Sequence, residues 1–484
     1  MKISLWMTGC GAALVLGSAP LHAETLRDAL IAAYQTNPTL NAARAQQRAT
    51  DEGVPIALAD GRPNSQVQAQ YTENFLNPAN AFTAPERSLA GTLSLNVPIY
   101  SGGSVRNAIN AAKVRVDAGQ ADLRGTEASV FSNVVAAYMD VIRDEAIVGL
   151  QRQNVSVLDV NLQASSDRFE IGDLTRTDVA QSEARLAIAR SDLQTAEANL
   201  IRSKEVYIQL VGKVPGELEP PPPLPNLPDA PETAVEAALG NNPDLEAARE
   251  RVEASNFDIR AARGTRMPQV SLFTQGNYQN FLGTLGSNLF EGSFVQQQSS
   301  ASAGVQLTVP VYQGGRPAAQ IRRAQAVSGQ AIEQEIAVER SIIAQVRAAY
   351  ASFNASMQVI ESSQKAVESN ELALEGVRAE NSVGNRTVLD ILDAERELLN
   401  AQVQLVTARR NAYVAGFTLL AAMGRAEARD LGLDGGVLYD PEINYERVRD
   451  RINDWDSDRD PVAQSTRTVD SPAQNAAVMG PPEE

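Results

Sequence analysis

Cysteine and histidine, the side chains most used for nucleophilic, general-base and zinc chemistry, are almost absent from these 484 residues. There is one cysteine, Cys10, and one histidine, His22. Both lie in a leader-like start. Lys2 gives a positive charge, residues 5–17 are apolar, and Leu21-His22-Ala23 ends on a small residue before Glu24. The pattern predicts a secretory signal peptide over residues 1–23, cleaved after Ala23 and too short for a membrane-spanning helix. Met7-Thr8-Gly9-Cys10 sits in the early part of the apolar run instead of following it, which argues against a lipid-bearing cysteine. A mature chain without Cys or His excludes thiolate and imidazole catalysis, disulfides and the usual zinc sites. No Gly-x4-Gly-Lys-Ser/Thr phosphate loop occurs. The reading is no enzyme, no cofactor and no metal. The net charge of -17 also excludes nucleic acid, whose phosphates need Lys and Arg.

What remains is backbone geometry and placed charge, and both come in duplicate. Val97-Pro98-Ile99-Tyr100-Ser101-Gly102-Gly103 recurs as Val309-Pro310-Val311-Tyr312-Gln313-Gly314-Gly315. Ala136-Ala137-Tyr138 recurs as Ala348-Ala349-Tyr350, and Gly172 with Asp178 recurs as Gly384 with Asp390. All keep one offset of 212 residues. Upstream, Asn37-Pro38 matches Asn242-Pro243 at 205, so the second copy carries seven extra residues between Pro268 and Pro310. Insertions are best tolerated at exposed loop tips. Fixed periods of this kind mark internal repeats. The expected organisation is repeat one over 24–214, a stiff Pro-rich linker over 215–231, repeat two over 232–431 and an acidic, flexible tail over 432–484.

Each repeat begins with short helices broken at the Asn-Pro pair. The period then changes to two. Val67, Ala69 and Tyr71 alternate with Gln66, Gln68 and Gln70; Leu89, Leu93, Leu95 and Val97 alternate with Ser88, Thr92, Ser94 and Asn96. Val270 and Leu272, then Ala301, Ala303, Val305 and Leu307, repeat this in the second copy. The pattern predicts hairpins at about 64–98 and 268–310, with one face for lipid and one for water. Four strands cannot close a water-filled barrel, and open edges do not survive in hydrocarbon. Several chains must therefore pool strands, and three would give twelve. Tyr71, Phe75, Phe273 and Tyr278 are the candidates for an interfacial aromatic girdle.

Proline ends the ladder at Pro98 and Pro310, and Gly102, Gly103, Gly314 and Gly315 bend the backbone into helix. Two long helices follow in each copy, at about 103–212 and 315–424, turning at Gly172 and Gly384. The outgoing helices would span about 100 Å. On the return helices Val179, Leu186, Leu193, Leu200 and Tyr207 are seven apart, as are Ala394, Ala401, Ala408, Ala415 and Ala422. Such rows predict left-handed coiled coils. The fold class is an α+β membrane protein: a transmembrane β-barrel shared between protomers, continued by a long α-helical coiled-coil barrel, with two structural repeats per chain.

In order, duplication and spacing these motifs resemble the TolC family of outer-membrane channel proteins over about 25–431. The resemblance implies a homotrimer in the Gram-negative outer membrane with a large periplasmic part. It implies a gated exit duct for type I secretion or drug efflux, meeting a periplasmic adaptor and an inner-membrane transporter. Asp390 and Asp393 match the family's entrance aspartates and would form cation-attracting rings, although an acid in a helix's first turn also suits its dipole. Arg386 matches a gate-latch arginine, with Thr177 and Asp178 on the partner side. Asn381 stands where the family's latch tyrosine would be. Gly172 and Gly384 would mark the tips that meet the adaptor. A soluble periplasmic coiled-coil scaffold is the alternative: it explains the heptads but not the alternating hairpins.

Overall fold

The computed structural model describes residues 24–76, 84–225, 227–286, 294–433 and 438–478. The expected signal peptide lies outside them. The first half contains α1 (Leu26–Thr36), α2 (Pro38–Asp51), α3 (Gly53–Ala59), β1 (Asn64–Glu73), β2 (Arg87–Tyr100), α4 (Ser104–Glu170) and α5 (Arg176–Val211). The second contains α6 (Pro231–Asn241), α7 (Pro243–Gly264), β3 (Gln269–Asn280), β4 (Gln297–Thr308), α8 (Arg316–Ser382) and α9 (Val388–Ala422), with α10 (Pro441–Val448) beyond. Helices α4 and α8 are both 67 residues long. Where the first half splits α2 from α3, Pro55 removes a backbone donor; the uninterrupted α7 has no proline after Pro243. Among the described residues no helix is long and apolar enough to cross a membrane.

The strands form one antiparallel sheet in the order β1-β2-β3-β4. Its register gathers like with like. Val67 lies opposite Leu93 and Tyr71 opposite Leu89; Leu272 lies between Val97 and Val305, and Val270 opposite Leu307. The other face carries Gln66 opposite Ser94, Thr92 opposite Asn277, and Gln275 between Ser94 and Ser302. A slip of one residue would mix the faces. Strands β1 and β4 each leave an unpaired edge in the single chain. Phe273 departs from the girdle expectation: it lies opposite Asn96 and Gly304, on the polar face. A Cβ at Gly304 would stand 3.1 Å from the Phe273 ring, so the absent side chain makes room for it. The extra residues of the second hairpin are shared between strand and loop, since β3 has 12 residues to the 10 of β1.

Pro98 does not stop β2 as the ladder argument expects. The strand runs on to Tyr100 through an irregular step, with Pro98 opposite Ser271 and Tyr100 opposite Val270. A bulge tolerates the missing N–H. In the second copy β4 stops at Thr308, before Pro310. At both corners the diglycines have positive φ, 67° and 81° at Gly102 and Gly103, 61° and 81° at Gly314 and Gly315. A Cβ at Gly102 would also stand within 2.6 Å of Met267 Cβ.

The main core forms where α1 crosses α4 and α5, around the fully buried Phe131, Tyr138, Leu200 and Tyr207. No member of the return-helix rows is exposed. The Asn-Pro pairs act as splices. Asn37 Oδ1 accepts from the N–H groups of Thr39 and Leu40, capping α2, while its Nδ2 donates to Leu210 O, 2.9 Å away at the end of α5. Asn242 caps α7 in the same way and donates to Ala422 O at 2.9 Å. One amide therefore satisfies the orphan donors of one helix and an orphan carbonyl of another. Residues 432–484, expected to be a flexible tail, include α10 and several anchors on the body. Asn444 donates to the fully buried Asp51 at 2.6 Å, Arg62 Nη1 to Arg451 O at 2.8 Å, and buried Lys204 Nζ to Ala477 O at 2.7 Å. Backbone carbonyls and a buried acid hold this segment where apolar anchors are few.

Candidate functional site at the helix tips

Both long hairpins turn by the same local chemistry. After α4, Gly172 adopts φ 82° and its N–H donates to Phe169 O; after α8, Gly384 adopts φ 82° and donates to Asn381 O, both at 2.9 Å. A left-handed residue here releases the chain from the helix while pairing its last carbonyls. The next helix is then capped. Thr175 accepts from the N–H of Asp178 while the Asp178 carboxylate accepts from the N–H and hydroxyl of Thr175, at 2.9 and 2.7 Å. Thr387 and Asp390 repeat this at 2.8 and 2.7 Å. These are capping boxes. Hydrogen bonds from Thr175 hold the Asp178 carboxyl below the usual range, and bonds from Thr387 do so for Asp390.

The acids expected at the entrance thus have different surroundings. Asp390 shares its cap role with Asp178, and its Oδ1 lies 3.9 Å from Arg386. Asp393 has no acid equivalent in the first repeat, where Gln181 stands. Its carboxylate meets Arg185 of α5 at 2.7 Å, so it ties the two hairpins together. Arg386 binds Glu380 at 2.7 Å, which pushes its guanidinium pKa up. Within the chain no hydrogen bond among the described residues joins Arg386 to Thr177 or Asp178. Asn381 Nδ2 donates to Arg386 O at 2.7 Å and so closes the turn instead. Thr177 and the two tip glycines are exposed.

Sequence reasoning missed the strongest polar link near the tips. Glu395 is 7% exposed, accepts from Asn161 of α4 at 3.1 Å and pairs with Arg378 of α8 at 2.9 Å. One carboxylate on α9 therefore holds three helices. A small apolar cluster of Leu158, Leu186, Ala189 and Leu392 packs beside it. The signal was present: Glu395 interrupts the row Val388, Leu392, Leu399 at an interior position of the heptad. An inward charge in such a row needs a partner. Arg185 carried no comparable signal, because its partner is remote in sequence.

Comparison with known proteins gives the family and the fold. A family profile described as "Outer membrane efflux protein" matches residues 30–213 and again 234–425. The chain is 33% identical over 440 residues to the outer membrane efflux protein BepC of Brucella suis, covering 90% of this chain and 93% of that one. It is 27% identical over 426 residues to the outer membrane protein TolC of Vibrio cholerae, covering 87% and 95%. The solved CmeC outer membrane channel of Campylobacter jejuni superposes with a TM-score of 0.71 at 16% identity, covering 94% of this chain and 98% of that one.

Proposed function

The chain belongs to the outer membrane efflux protein family, and we propose that three copies form the outer-membrane exit duct of a tripartite export system. The sheet carries this reading. Its register sets an apolar face against one that is polar apart from Phe273, Ala90 and Gly304, and leaves both edges unpaired. Joining β1 of one copy to β4 of the next pairs every edge, as hydrocarbon requires. Three copies give twelve strands, within the range of such barrels. The two helical hairpins of each copy then continue the wall into the periplasm. The family's role is transport, and the duct does no chemistry of its own. An inner-membrane transporter, coupled through a periplasmic adaptor at the Gly172 and Gly384 tips, supplies the energy for drug efflux or type I secretion.

The gate lies at those tips. Asp390 and Asp393 from three copies ring the entrance and attract cations. The link from Arg185 to Asp393 acts within a chain. Arg386, which turns to Glu380 inside its own chain, meets Thr177 and Asp178 of a neighbouring copy, and this contact is the latch. The test uses the absence of cysteine from the mature sequence. Single cysteines along β1 and β4, combined in pairs, should yield covalent trimers on oxidation in outer membranes. If no pair across the two edges cross-links, the shared barrel is wrong.

A further inference from the structure

We propose that the cleft between α2 and α10 binds a small organic anion, a carboxylate carried on an apolar or aromatic body. The cleft holds about 540 Å³, a volume suited to a small molecule. Tyr34, Leu438, Tyr439 and Ile443 give it apolar walls, and Arg44 and Arg48 give it charge. Arg44 is 9% exposed. Its guanidinium lies 4.3 Å from the Tyr34 ring centroid and 5.1 Å from that of Tyr439. Nη1 donates to Asn41 Oδ1 at 3.1 Å, but Nη2 is buried without a hydrogen-bond partner. The Tyr439 hydroxyl is likewise buried and unpaired. Arg48, one turn along α2, makes no hydrogen bond or ion pair to a described residue. Arg447 at the rim is engaged by Asp458 at 2.7 Å, and Asp440 accepts from the N–H of Glu442.

Buried donors are normally satisfied, so an orphan guanidinium nitrogen and an orphan hydroxyl on two residues that line one cleft point to an absent acceptor. A carboxylate is such an acceptor, and a planar guanidinium suits it. The Tyr34 and Tyr439 rings packed against Arg44 hold the fork in place before any ligand arrives. A second cavity, about 680 Å³, shares Tyr34, Arg44 and Tyr439 but is walled by Glu127, Glu246, Glu250 and Glu427. Those acids repel an anion and leave the α10 side as its seat. The site is separate from the tips, so it adds a binding function to the duct.

The test is titration calorimetry on the intact protein in detergent, with phenylacetate, uncharged phenylacetamide and inorganic phosphate as probes. Saturable binding of phenylacetate, weakened about tenfold by Arg48→Gln and abolished by Arg44→Gln, supports the site. Arg48→Gln removes only a half-buried group and keeps the test valid should Arg44→Gln fail to fold. Its unchanged single-channel conductance would confirm an intact duct. Equal binding of phenylacetamide, tighter binding of phosphate than of phenylacetate, no saturable heat, or an Arg48→Gln protein that binds like the parent would each overturn the proposal. None of these outcomes bears on the shared barrel, which the cysteine pairs test separately.

Discussion

Along the first hairpin, Lys204 meets Glu145 at 3.2 Å, Arg152 meets Glu197 at 2.9 Å, Arg190 meets Asp159 at 3.1 Å, and Ser203 donates to Asp144. Along the second, Arg378 and Glu395 make the only ion pair between α8 and α9 among the described residues. The two hairpins have the same length and the same turn, yet one is bolted along its length and the other is held near its tip. Helix α8 alone exposes Val327, Ile332, Met357, Val359 and Leu372, whereas α4 exposes only Val160 and Phe169 among its large apolar residues. If a gate opens by moving one element against another, the second hairpin is the element with less to break.

The strongest challenge to this contrast is Lys204→Met. It leaves Glu145 largely buried and unpaired and frees Ala477 O, so it should cost about 3 kcal/mol in thermal or denaturant unfolding while leaving conductance unchanged. A conductance rise would mean that the first hairpin also gates. Glu395→Ala should cost less, about 2 kcal/mol, because Arg378 is half exposed. It should nevertheless raise single-channel conductance and speed amide exchange in α9 more than in α5. Thr175→Ala and Thr387→Ala sharpen the comparison from the other direction. Each removes one cap and should speed exchange in its own first turn by about fivefold, equally in the two hairpins. Arg185→Ala breaks a half-exposed pair and should cost about 0.5 kcal/mol, with a small conductance rise.

The smallest difference between the hairpins should be in acid. Asp178 and Asp390 have folded pKa values held below the ordinary range by their cap hydrogen bonds. Their contribution is therefore full above the unfolded value, near pH 4, and is lost as pH falls through the lower folded values. Hydrogen exchange at falling pH should show both tips loosening together. Buried acids away from the tips respond with the opposite sign. Burial raises the pKa of Asp51, Glu127 and Glu427, so these groups favour the folded state more as pH falls through their raised values toward the unfolded ones.

The duplicated landmarks are legible in the sequence because each is enforced locally. Positive φ demands the glycines, Asn37 and Asn242 cap the helices that begin just after them, and alternation fixes which strand residues share a face. Contacts that depend on how the two hairpins lie against each other leave no such trace. Arg185 and Asp393 are 208 residues apart, and nothing near either one announces the other. Phe273 departs from expectation because an aromatic in a strand reads as lipid-facing until its register with Gly304 is known. Composition alone, the only signal in the tail, misses a segment anchored by its backbone.

The paired asparagines have a wider consequence. Where α5 ends against the start of α2, and α9 against the start of α7, one helix hands over to another of the same chain without an open end, as bricks break joint in a sound course. If three copies enclose a duct, residues added outside that joint need not alter its bore. Such a conduit can diversify its collar while its calibre stays constant.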